Sequence, residues 1–69
     1  MKVFSKRLKK AREREGLTQK EIAEELGILL RTYQGYEALG THHREPNLEM
    51  VTKIADVLNT TTDYLLGRE

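Results

Sequence analysis

The stretch QKEIAEELGILLRTYQGYEA, residues 19–38, carries two short helical patterns separated by only Gly27 and Ile28, and so tight a joint leaves few ways for the two segments to pack. Ile22, Ala23 and Leu26 form one apolar stripe, Tyr33 and Tyr36 another, and Ile28 lies in the turn. Both stripes need the same interior, so the two helices must meet on their apolar sides. Ala23 is small where such helices approach closely. Gly27 suits the left-handed backbone that a turn of this kind requires. The outer side of the second helix is left with Leu29, Leu30, Arg31, Gln34, Gly35 and Ala38.

The flanking sequence supplies three more helices and little else. Phe4, Leu8 and Ala11 recur at helical spacing and place a first helix over residues 5–15, with Ser5 as its expected cap and Gly16 as its stop. Thr18 and Glu21 make a T-x-x-E capping box for the second helix. The third helix is expected over 29–38 and is followed by a loop over 39–45. Pro46 and Asn47 announce a fourth helix with Leu48, Val51, Ile54, Ala55 and Leu58 at steps of three or four, ending at Asn59. Thr61 or Thr62 opens a last turn with Tyr64, Leu65 and Leu66, closed by Gly67. The expectation is an all-α fold forming one compact domain over residues 1–69, because a chain of 69 residues has only enough core for one.

Several function classes are disfavoured at this level. Cysteine is absent and no apolar run approaches 18 residues, so neither a disulfide framework nor a membrane helix is expected. The N-terminus lacks an apolar signal core, which points to the cytoplasm. There is no phosphate loop and no nucleophile–base pair in motif spacing, so no enzyme and no cofactor are expected. Net charge is only +1, yet residues 1–14 hold seven Lys or Arg against Glu13 alone. That basic end favours attraction to phosphate or forms a solvated helix face. A chain this close to neutral must contact phosphates by placement more than by bulk charge.

The segments FSKRLKKAREREGLTQKEIAEELGI, YQGYE, REPNLEMVTKIADVLN and TTDYLLG together resemble the XRE family of helix-turn-helix proteins, which includes the lambdoid phage repressors and Cro proteins. The resemblance covers almost the whole chain. It implies a compact five-helix, lambda-repressor-like DNA-binding domain with its helix-turn-helix at 19–38, acting as a transcriptional regulator, most often a repressor of phage or bacterial genes. The implied partner is double-stranded DNA with a pseudo-palindromic operator, bound as a homodimer that sometimes forms only on DNA. Tyr64, Leu65 and Leu66 either finish the core or supply part of a dimer surface.

Residue roles follow from the same resemblance. Gln19, first in the second helix, matches a glutamine that bonds a DNA phosphate, and a helix N-terminus offers free amides for that purpose. Arg31 and Gln34 lie where long side chains read guanine and adenine through paired hydrogen bonds, or else face phosphate. Thr32 touches the backbone or fills surface. Arg12 and Glu37 match a partly buried salt bridge between the first and third helices, a structural role.

The chain also departs from the family. Leu29 stands where relatives place a capping Ser or Thr, and Leu30 adds a second apolar residue on a face meant for water or DNA. The pair contacts thymine methyl groups, folds back on the core, or meets a protein partner. Gly35 weakens the recognition helix unless its bare backbone allows closer approach to the groove. The loop after Glu37 is longer than usual and puts Gly40, Thr41, His42, His43 and Arg44 where they can donate to phosphates, with Arg44 foremost. Adjacent histidines with no third ligand nearby do not suggest a metal, although they allow a mild pH dependence. The competing function is a protein-interaction module, antitoxin-like or antirepressor-like, and Leu29–Leu30 is what supports it.

Overall fold

The computed structural model describes residues 2–69. Its order is α1 (Lys2–Arg14), α2 (Gln19–Leu26), α3 (Leu30–Glu37), α4 (Leu48–Val57) and α5 (Thr62–Leu66), with no strand among the described residues. The expected all-α, five-helix architecture is what forms.

Local chemistry sets most of the boundaries. Thr18 Oγ1 accepts from the Glu21 amide at 3.1 Å while the Glu21 carboxylate accepts from the Thr18 amide at 2.8 Å, completing the capping box. Asn47 and Thr61 cap α4 and α5 in the same manner, accepting from the amides of Met50 and Tyr64. Gly27 and Gly67 close α2 and α5 with φ of 71° and 79°, a region where a Cβ is costly. Lys53 adds a tertiary cap by donating to the Leu26 carbonyl at the end of α2.

The helices close around Phe4, Leu8, Ile22, Leu26, Tyr33, Ile54, Leu58 and Leu65, each at most 2% exposed. α1 packs on α3 and α5, α2 on α3 and α4, and α4 on α5. Burying such side chains contributes about 1.5–3 kcal/mol each, which is how so small a domain offsets its ordering entropy. Leu65 is fully buried, and Tyr64 and Leu66 pack on the core from its edge, so the C-terminal turn finishes the interior. Arg7 secures it by donating to the Tyr64 carbonyl at 2.8 Å, its guanidinium 4.8 Å from the Tyr64 ring centre.

Two expectations fail here. Ser5 is not a helix cap: α1 begins by Lys2, and Ser5 is buried one turn inside it, donating to the Tyr36 carbonyl at 2.8 Å. A serine that can bond a distant carbonyl has no need of a local amide. Leu48 is 81% exposed, because the three-residue step back from Val51 carries the stripe past the edge of the core.

Candidate nucleic-acid interface

Backbone hydrogen bonds define the turn between α2 and α3. Gly27 donates to Glu24 and Ile28 to Ala23, at 3.1 and 3.0 Å, so the turn leaves α2 in one defined direction. Leu29 takes the extended N-cap conformation, φ −69° and ψ 145°, with no side-chain hydrogen bond. Its carbonyl still accepts from Thr32 and Tyr33. Neither leucine folds onto the core: Leu29 is 60% and Leu30 39% exposed. Together with Arg31 and Gln34 they line one open concavity on the outer side of α3.

Arg31, Gln34, Gly35, Ala38, His42 and Arg44 line a second concavity of about 340 Å³. The structure therefore brings the outer face of α3 and the long loop onto one surface, with Arg31 and Gln34 belonging to both halves. Arg31 and Arg44 have no ion-pair partner among the described residues, so both guanidinium charges are available to a ligand. Thr32 is half-buried, and Thr41 is exposed in the loop next to His42.

Behind the surface lies a polar network that fixes α3 to α1 and α2. Arg12 Nε is 2.6 Å from Glu37 Oε2, Arg12 also donates to the Leu17 carbonyl at 2.8 Å, and Tyr33 donates its hydroxyl to Glu37. This is the expected Arg12–Glu37 bridge, with side chains 11% and 5% exposed. Burial pushes the Glu37 carboxyl up, but hydrogen bonds from Arg12, Tyr33 and Gln19 outweigh it and hold the group below the usual carboxylate range. The bond to Glu37 raises the Arg12 guanidinium, and burial raises the Tyr33 hydroxyl. Gln19 links this network to the outside, donating from Nε2 to Glu37 at 3.1 Å and accepting at Oε1 from Gln34 at 3.3 Å.

Two expectations, one in the loop and one in α3, need correction. His43 is not free for a phosphate: its Nδ1 is 2.8 Å from the Ala38 carbonyl and 3.3 Å from Ser5 Oγ, and its Nε2 is 3.7 Å from Glu45. Because a carbonyl only accepts, Nδ1 carries the proton, and the ring fastens the loop to α1. His42 is the histidine that faces the concavity. Gly35 is not an open position on the outer face: it is buried beneath the stem of Arg44. No local signal announces these loop contacts, since Ser5 and His43 are 38 positions apart.

A sequence profile of the helix-turn-helix family matches residues 8–65. The HTH-type transcriptional regulator ImmR of Bacillus subtilis is 42% identical over 66 residues, which are 96% of this chain and 50% of that protein. The HTH-type transcriptional regulator AnsR of the same organism is 41% identical over 63 residues, 91% of this chain and 52% of the regulator. The cryptic phage CTXphi transcriptional repressor RstR of Vibrio cholerae is 38% identical over 65 residues, 94% of this chain and 55% of the repressor. The chain thus spans about half the length of the curated relatives it matches. No solved structure matches it significantly. With the profile running from α1 into α5 and the capped α2–turn–α3 unit at its centre, the chain belongs to the helix-turn-helix family, in its XRE branch.

Proposed function

We propose that these 69 residues act as one sequence-specific, double-stranded DNA-binding unit of a transcriptional regulator, most often a repressor, with α3 reading the major groove. The observation that carries this reading is the convergence of Arg31, Gln34 and Arg44 on one exposed surface, beside Gln19 at the start of α2. Arg31 and Gln34 are the base readers. Gln19, Thr32, Thr41 and Arg44 serve the phosphate backbone, and Leu29 and Leu30, held outward, suit thymine methyl groups. The uncommitted arginines offset the near-neutral net charge locally, where the contact is made.

α3 is an eight-residue helix, about 12 Å long, and so covers only a few base pairs. Useful specificity therefore calls for two copies on a pseudo-palindromic operator, as a homodimer. Such a regulator works in the cytoplasm, with neither catalysis nor a cofactor. Among the described residues, no helix is long and apolar enough to cross a membrane.

The exposed Leu29–Leu30 pair supports a second reading, a protein-interaction surface on the same helix. One experiment separates the two. Selection from a random duplex library, followed by binding at several salt concentrations, should return a palindrome and a log-log salt slope of about −0.9 per phosphate neutralised. No enrichment at low salt defeats the DNA reading and leaves the leucine surface for a protein partner.

A further inference from the structure

A glycine inside the recognition helix weakens it unless something requires the missing side chain, and the requirement lies across the loop. A Cβ built on Gly35 would stand 2.8 Å from Arg44 Cγ, 2.9 Å from Cδ and 3.1 Å from Cβ. The first two distances are shorter than carbon atoms tolerate. The Arg44 backbone is pinned in place, because its amide donates to the Gly35 carbonyl at 2.9 Å, so a Cβ on Gly35 would have to turn the arginine stem out of its present position. The stem of the arginine is thus laid into a notch in α3. Arg44 lines the concavity shared with Arg31, Gln34 and His42.

We infer that Gly35 is a positioning residue: it seats the Arg44 stem so that the loop guanidinium is held ready for a DNA phosphate beside the base-reading face. This rests on the DNA-binding reading above. An exposed arginine loses rotamer freedom when it binds, and packing its aliphatic stem beforehand removes part of that loss. The same seat explains how a long loop follows α3 closely.

The test is a double-substitution cycle of wild type, Gly35→Ala, Arg44→Ala and the pair, read by melting and by DNA binding. Without DNA, Gly35→Ala should lower Tm by about 4 °C or more in the wild type, because the new Cβ meets the arginine stem. In the Arg44→Ala background, where only the 3.1 Å contact remains, the drop should vanish or reverse, since alanine is the better helix former. On a duplex enriched by the wild type, Arg44→Ala should reduce the salt slope by about 0.9, Gly35→Ala should reproduce most of that reduction, and the pair should add nothing further. Equal Tm shifts in both backgrounds overturn the packing. A full slope in folded Gly35→Ala overturns the positioning role alone. A wild type that binds no duplex overturns the phosphate role of Arg44 together with the DNA reading, while the melting cycle still judges the seat.

Discussion

Removing Arg12 is the most severe test of the polar network behind α3. In Arg12→Ala the Glu37 side chain, 5% exposed, keeps only the Tyr33 hydroxyl and the Gln19 amide as partners, and the Leu17 carbonyl loses its donor. Stranding one member of a buried ion pair costs about 3–5 kcal/mol. A domain of 69 residues has roughly 3–10 kcal/mol of total stability, so the loss takes a large share of it and should lower Tm by on the order of 20 °C. Thermal unfolding followed by far-ultraviolet circular dichroism measures the shift. DNA binding must be read where the variant is still folded, because partial unfolding would mimic a lost contact.

The same reasoning makes a prediction that simple damage does not. Arg12→Met with Glu37→Leu removes both charges but leaves the Tyr33 hydroxyl, on a fully buried residue, without its acceptor, a penalty of about 1–3 kcal/mol. Adding Tyr33→Phe removes that orphan. The triple variant should therefore melt above the double, and the double above Arg12→Ala. An unchanged melt for Arg12→Ala refutes the buried pair, and a triple variant no better than the double refutes the hydrogen-bond accounting.

Because the folded Glu37 carboxyl lies below its ordinary value, its contribution is complete above the unfolded pKa of about 4.3 and is lost as pH falls toward the folded value. Acid titration of stability should be less steep in Glu37→Gln, and an identical acid limb contradicts the assignment. Leu29 already has the extended cap backbone, so Leu29→Ser should stabilise α3 by about 0.5–2 kcal/mol; a lower Tm means that the leucine packs on something. Gln34→Ala should cost about 1–3 kcal/mol at one operator base and relax preference there, whereas a uniform loss over all duplexes moves Gln34 to the backbone contacts.

What could be read from the sequence was local, and what was hidden was distant. Gly16 and Gly27 both take φ of 71°, and the Thr18–Glu21 box is a pattern within four consecutive residues, so the C-terminal end of α1 and both ends of α2 are visible residue by residue. Ser5 misleads because serine is a cap by local chemistry, while its acceptor belongs to Tyr36, 31 positions away. In the sequence alone, Gly35 is a weak point in a helix and Arg44 a loop cation. Only the fold makes them one feature. His43 and His42 are equivalent in sequence and opposite in space, since the turn that follows Gly40 directs one ring to Ala38 and leaves the other in the concavity. The Arg12–Glu37 bridge was accessible through family resemblance, not through spacing.

The buried network and the proposed reading surface share the Gln19 amide. Gln19 spends one N–H on Glu37 and its oxygen on Gln34, so its orientation is set from both sides. Gln34, exposed on α3, gives one N–H to that oxygen. A glutamine amide has two N–H groups and a carbonyl oxygen, and the bond to Gln19 leaves Gln34 its oxygen and one donor. Those are the two groups that a paired contact with adenine requires, the oxygen for N6 and the N–H for N7. The amide is thus turned in advance by a partner anchored on the buried Glu37. In the proposed adenine contact, selectivity would rest on this folded geometry more than on charge, which suits a chain whose net charge is only +1.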